Sequence, residues 1–148
     1  MTERAARRFA ERVHAGGTDR YGVPLLDHVR RVVAAVPPEA RTVAWLHEVL
    51  EFSDVTAGEL RAAGATEDEV GAVRLLTRDP DGDAFEAHVA RIAAAPGRSG
   101  ELARIVKRAD LEDRIRYQAE LPPTALPRPP YLDALGALSV VGAQPVRR

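Results

Sequence analysis

The sequence predicts an all-α protein, a bundle of about seven to eight helices, on three observations. Apolar residues recur at spacings of three and four along most of the 148 residues. Alanine, leucine, valine and arginine dominate while aromatics make up 5%, and Gly and Pro cluster between the periodic runs. No stretch reads as a convincing strand. The length suits one domain with its own core, so 1–148 is read as a single domain.

Each element has a local reason. Residues 3 to about 15 place Ala6, Phe9, Ala10 and Val13 on one face, and Gly16-Gly17 ends that helix. His14 lies at its C-terminal end. The turn-rich segment Thr18 to Pro24 follows, from which Arg20 and Tyr21 are able to point into a cleft. A second helix, about Leu25 to Val36, carries an apolar stripe with His28 in or beside it, and Pro37-Pro38 stops it. The third is expected from about Glu39 to Ser53. There His47 and Glu51 share a face, with Glu48 about 100° round from His47. The short linker makes these two helices antiparallel neighbours.

Two capping boxes follow: Thr56 with Glu59 starts a short helix ending near Gly64, and Thr66 with Glu69 starts one reaching about Leu76. The turn Arg78 to Asp83 is acidic but lacks the ligand alternation of an EF-hand loop. A helix from about Asp83 to Ala95 turns Phe85, Val89 and Ile92 inward and leaves His88 as a surface residue. A long helix follows Ser99 to about Leu121, with Lys107, Asp110, Asp113, Arg114 and Tyr117 in one row. Pro122-Pro123 ends it, residues 122–130 form a proline-rich linker, Tyr131 to Val141 is a last apolar helix, and 142–148 is a flexible tail.

Composition narrows the chemistry. The absence of cysteine excludes disulfides, thiolate catalysis and Cys-type zinc sites. A formal net charge of -1 gives no global field toward nucleic acid or an anionic membrane. No apolar run approaches the roughly 20 residues of a membrane span, and the N-terminus lacks a signal-peptide core, so the expected location is the cytoplasm. The apolar last helix covers either its own core or a partner's, which leaves a homo-oligomer open.

The densest chemistry lies in Trp45 to Asp54, where a histidine, two glutamates and an aspartate crowd an otherwise buried helix. With His28 and Asp110 from other helices, His47 and Glu48 make a mixed nitrogen and oxygen donor set. That set suits manganese, iron or zinc better than magnesium or calcium. A site with open positions acidifies water, and Glu51 is placed to orient it or shuttle its proton, as phosphoester hydrolysis requires. The bland alternative is that both histidines fill the core, Glu48 and Glu51 pair with arginines, and Asp110 pairs with Lys107 or Arg114.

The order His28, then His47 with a following acid, then a distant Asp110 resembles the HD superfamily of metal-dependent phosphohydrolases. The closest resemblance is to its RelA/SpoT-type branch, the guanosine-polyphosphate (ppGpp) hydrolases and their small single-domain relatives. The matching segments are His14-Ala15-Gly16-Gly17, Arg20 to Pro24 leading to His28, Ala44 to Glu51, Leu76-Thr77-Arg78 and Val106 to Asp113. The resemblance implies an HD-domain-like bundle. It places His28, His47, Glu48 and Asp110 at metal-ligand positions and Glu51 at the catalytic acid. Arg20 takes the nucleobase-stacking position, and Tyr21, Lys107 and Arg114 complete the expected substrate-binding set. The implied cofactor is a divalent metal, Mn2+ first with Fe2+ or Zn2+ as alternatives. The implied reaction removes pyrophosphate from a guanosine polyphosphate or related phosphorylated nucleotide. Three positions depart from the pattern: Glu48 where the family carries aspartate, Phe52 in place of a second acid, and Arg114 in place of asparagine. They motivate an alternative, a degenerate HD domain with weak or no catalysis that binds a nucleotide or a partner.

Overall fold

In a computed structural model of the protein, residues 1–79, 81–118, 120 and 129–142 are described. They form eight α-helices, with no strand among the described residues; the one β-type pairing is an isolated bridge between Thr18 and Pro24. The linker proposed at 122–130 falls almost wholly outside these residues, as does the tail beyond Gly142.

Helix α1 (Glu3–Val13) starts at Thr2, whose hydroxyl accepts the Ala5 amide at 3.1 Å, and buries Ala6, Phe9 and Ala10. The chain turns through Gly16, at φ +72°, a left-handed conformation that glycine adopts without a Cβ penalty. In the loop that follows, Asp19 Oδ1 accepts the amides of Tyr21 at 2.8 Å and Val23 at 3.0 Å. This side-chain turn presents Arg20 and Tyr21 together. Helix α2 (Leu25–Ala35) then buries Leu25, His28, Val29, Val32 and Val33.

Beyond a 3-10 turn at Pro38–Ala40 runs α3 (Arg41–Leu46), much shorter than the segment from Glu39 to Ser53 that the sequence suggests. The cause is local. His47 Nδ1 donates to the Ala44 carbonyl at 2.6 Å, the acceptor that the Glu48 amide takes in a continuing α-helix. The backbone proceeds instead in turns, with the Glu51 and Phe52 amides both donating to the Glu48 carbonyl at 3.2 and 3.1 Å. His47, Glu48 and Glu51 therefore stand on consecutive turns after a helix end. Trp45, just before them, is buried, with the Arg7 guanidinium 6.0 Å from its ring centre.

Both capping boxes form as the sequence predicts. They start α4 (Ala57–Ala62) and α5 (Glu67–Leu76), the Thr hydroxyl accepting the third-position amide and the Glu carboxylate accepting the Thr amide in each. Helix α6 (Phe85–Ala94) is followed at once by α7 (Gly97–Gln118), which begins two residues earlier than Ser99. Arg104 Nη1 joins them by donating to the Ala95 carbonyl at 2.6 Å and the Ile92 carbonyl at 3.3 Å. Helix α8 (Tyr131–Gly142) extends one residue past Val141 and takes Gly142 out of the expected tail.

Helix α7 is the axis: α2, α3, α5, α6 and α8 all pack against it, and α1 packs on α3. The core is one continuous cluster, in which Leu46, Leu60, Ile92, Leu111 and Leu138 are among the largest fully buried side chains. Each such side chain contributes roughly 1.5–3 kcal/mol by leaving water. A polar seam interrupts that core where α2, the end of α3 and the middle of α7 meet, and the candidate site lies there.

Candidate metal centre

His28 from α2, His47 and Glu48 from the turn after α3, and Asp110 from α7 are all buried. One donor atom from each lies within 4.8 Å of the others. His28 Nε2 is 2.7 Å from Asp110 Oδ1 and 3.6 Å from Glu48 Oε1, while His47 Nε2 stands 3.8 and 3.7 Å from the same two oxygens. Four residues drawn from three separate segments thus converge on one point.

The orientation of each ligand is fixed from behind. His47 Nδ1 donates to the Ala44 carbonyl, which in the neutral ring leaves the lone pair on Nε2. On His28 the outer nitrogen, Nδ1, bonds Asp113 Oδ2 at 2.6 Å, and Arg31 in turn grips Asp113 with Nε and Nη2 at 2.7 and 3.0 Å. A carboxylate behind a ligating imidazole sets the ring's angle and raises its basicity. Asp113 is the site residue that sequence reasoning left without a role, although its spacing of three from Asp110 puts both on one face of α7.

Charge is heavily compensated. Lys107 Nζ donates to Asp110 Oδ2 at 3.0 Å, and Arg114 donates from Nε to Asp110 Oδ1 at 2.9 Å and from Nη2 to Glu48 Oε1 at 2.5 Å. The pairings offered as the bland alternative for Asp110 are both made, and so is an arginine pair for Glu48. Burial works against ionised Asp110, but Lys107 and Arg114 outweigh it and hold the carboxyl well below its usual range. For His28, burial disfavours the imidazolium. Hydrogen bonds to Asp110 and Asp113 prevail and raise its pKa to about 9. Burial likewise opposes ionisation of Asp113, yet His28 and Arg31 bring it down to about 2.

The donor chemistry fits a divalent cation. Despite these ion pairs, His47 Nε2 and Glu48 Oε2 are buried without a hydrogen-bond partner. Both are acceptors, and two orphaned lone pairs beside two further carboxylate and imidazole donors are what a cation satisfies.

His47, Glu48 and Asp110 line a cavity of about 190 Å3. Arg20 and Tyr21 stand at its wall, the Arg20 guanidinium 4.9 Å from the Tyr21 ring centre and bonded to its hydroxyl at 2.6 Å. Glu51 Oε1 accepts the Arg78 amide at 3.0 Å. Water lost where the Glu51 carboxyl meets the wall pushes its pKa up, and the charge of Glu48 adds to this. Phe52 lines the same cavity with 42% of its surface exposed. His88, expected on the surface, is 1% exposed and lines the cavity too. The three-residue step from Phe85 turns it inward, and burial beside Lys107 and Arg91 drives its pKa down to about 4. His14 is buried with neither ring nitrogen partnered, and desolvation lowers its pKa. The acidic turn before α6 holds no further metal group among the described residues. There Asp83 is paired with Arg91 at 2.6 Å, and Asp79 accepts the Asp81 amide.

The chain has an all-α, HD-domain-like fold, with a buried His/Glu/Asp cluster where three segments meet. Among solved structures it matches that of a metazoan ortholog of SpoT that hydrolyses ppGpp and plays a role in starvation responses. The TM-score is 0.72 at 20% sequence identity, and the match covers 96% of this chain and 85% of that one. No protein-family model matches the sequence, and no curated protein is significantly similar to it. The likeness therefore rests on the arrangement of helices.

Proposed function

We propose that the protein is a metal-dependent phosphohydrolase acting on a guanosine polyphosphate or a related phosphorylated nucleotide. The observation that carries this reading is the convergence of His28, His47, Glu48 and Asp110 within 4.8 Å, the last three of them lining a cavity that also carries a further carboxylate and several cations. The ppGpp hydrolysis reported for the structural neighbour supports the same substrate class. The four residues would hold a divalent cation, with Mn2+ the first to try. When bound, such an ion supplies Lewis-acid activation of water and of a phosphoryl oxygen.

The chain's own residues account for the rest. Glu51 keeps Oε2 for a proton while Oε1 is held by the Arg78 amide, and a carboxyl whose pKa is pushed up is better suited to carry one. Lys107 and Arg114 bring positive charge to the edge of the donor set, where a phosphate would lie. Arg20 and Tyr21 offer a flat cationic and aromatic face to a nucleobase at the cavity wall. The test is release of phosphate or pyrophosphate from a panel of nucleotides, ppGpp included, by protein loaded with Mn2+. Inertness toward every member by metal-loaded protein overturns the proposal.

A second reading, a nucleotide-binding module without turnover, is favoured by one observation: Arg114 is bonded to two of the four ligand residues. It requires nucleotide binding with no product, and no gain of turnover in the double variant Glu48→Asp, Phe52→Asp. Turnover by the unaltered chain eliminates it.

A further inference from the structure

We propose that Arg114 is an intramolecular competitor for the cation: its guanidinium holds two of the four donor groups, and a metal enters when that fork lets go. The inference rests on the metal-centre reading above. Arg114 lies one helical turn beyond Asp110 on α7 and reaches back, with Nε 2.9 Å from Asp110 Oδ1 and Nη2 2.5 Å from Glu48 Oε1. These are the same two oxygens that both histidine Nε2 atoms face. A guanidinium neutralises the carboxylates and keeps them from repelling each other, as a cation at that point would. It is nevertheless an incomplete substitute. Its N–H groups point along the fork to the two carboxylates, and His47 Nε2 and Glu48 Oε2 remain buried without a partner. A cation at the common point would serve all four residues.

The competitor also has somewhere to go. The Arg114 side chain keeps 25% of its surface exposed and borders the cavity, so release carries the charge into the space where a phosphate would sit. Glu48, with one methylene more than an aspartate, is the residue that extends a carboxylate to Nη2.

Calorimetric titration of chelator-treated protein with MnCl2, in the absence of nucleotide, tests the idea. Arg114→Gln removes the charge and keeps a polar side chain, and it is expected to bind Mn2+ at least about tenfold more tightly than the unaltered chain. Arg114→Lys keeps a charge but cannot fork across both carboxylates, and it is expected to bind more tightly than the unaltered chain and less tightly than Arg114→Gln. If Arg114→Gln fails to fold without metal, the Lys variant alone decides. Equal or weaker Mn2+ binding by the variants overturns the competitor role and leaves the phosphohydrolase reading to be judged by turnover. Tighter binding by the variants, with no turnover of any nucleotide by the metal-loaded unaltered chain, upholds the competitor and removes the phosphohydrolase. No Mn2+ binding by any of the three proteins overturns both.

Discussion

The imidazole of His47 has two roles at once: Nδ1 ends α3 by taking the Ala44 carbonyl, and Nε2 is left aimed at the donor cluster. Replacing it with glutamine is expected to abolish Mn2+ binding in a titration while the helical circular dichroism persists. Asp113 acts one step further out. Asp113→Asn weakens its hold on Arg31 and on His28 Nδ1, and should lower Mn2+ affinity by roughly 10–100-fold, the usual effect of losing such an outer partner. His88 gives a pH signature. It faces Lys107, Arg91, Arg78 and Asp83, and its folded pKa of about 4 lies below the unfolded value of 6.5. The unfolded chain therefore binds the extra proton between those values. The contribution of neutral His88 is complete above pH 6.5 and is lost as pH falls through about 4. In urea melts across that window, His88→Gln should flatten the fall in stability by up to one proton's worth, about 1.4 kcal/mol per pH unit. Coincident slopes for the two proteins would count against the assignment.

At the scale of elements, the helix starts were legible because their signals are local. Thr56 with Glu59 and Thr66 with Glu69 are complete within four residues, so each can form without a tertiary contact. Each Thr→Ala change should cost about 1 kcal/mol in denaturant unfolding. Positions whose fate depends on a partner far along the chain were harder to read. The pattern of apolar residues continues through His47, but the side chain takes the acceptor the helix needs, and periodicity carries no trace of that competition. His88 was misplaced for a similar reason. A histidine scores as polar in any pattern, and only the packing of α6 against α7 shows that this one is inside. The four candidate ligands stand in the order of a family pattern that implies their grouping, whereas Asp113, three residues beyond Asp110, is given no role by that pattern and reads as one more charge in the row along α7. The close join of α6 to α7 leaves no room at Gly100, where an added Cβ would come 2.0 Å from the Ala95 carbonyl oxygen. Gly100→Ala should therefore destabilise the protein by about 1–3 kcal/mol, read as a lower urea midpoint.

For the molecule as a whole, the candidate centre ties α2, the end of α3 and α7 together across the core. A cation bound there stabilises the folded chain by mass action, about 2.7 kcal/mol at a free concentration one hundred times the dissociation constant. Thermal melts with and without Mn2+ should show that gain, and His47→Gln should erase it. The chain also carries its own reporter of this event. Trp45 is the sole tryptophan, it is buried with its indole Nε1 unpartnered, and it stands two residues before His47. Its fluorescence is thus emitted from a buried setting close in sequence to the donor cluster. Unfolding should shift the emission to the red, and a paramagnetic ion such as Mn2+ should quench it on binding, so that occupancy and unfolding can be followed by fluorescence titration of the native chain without any attached dye.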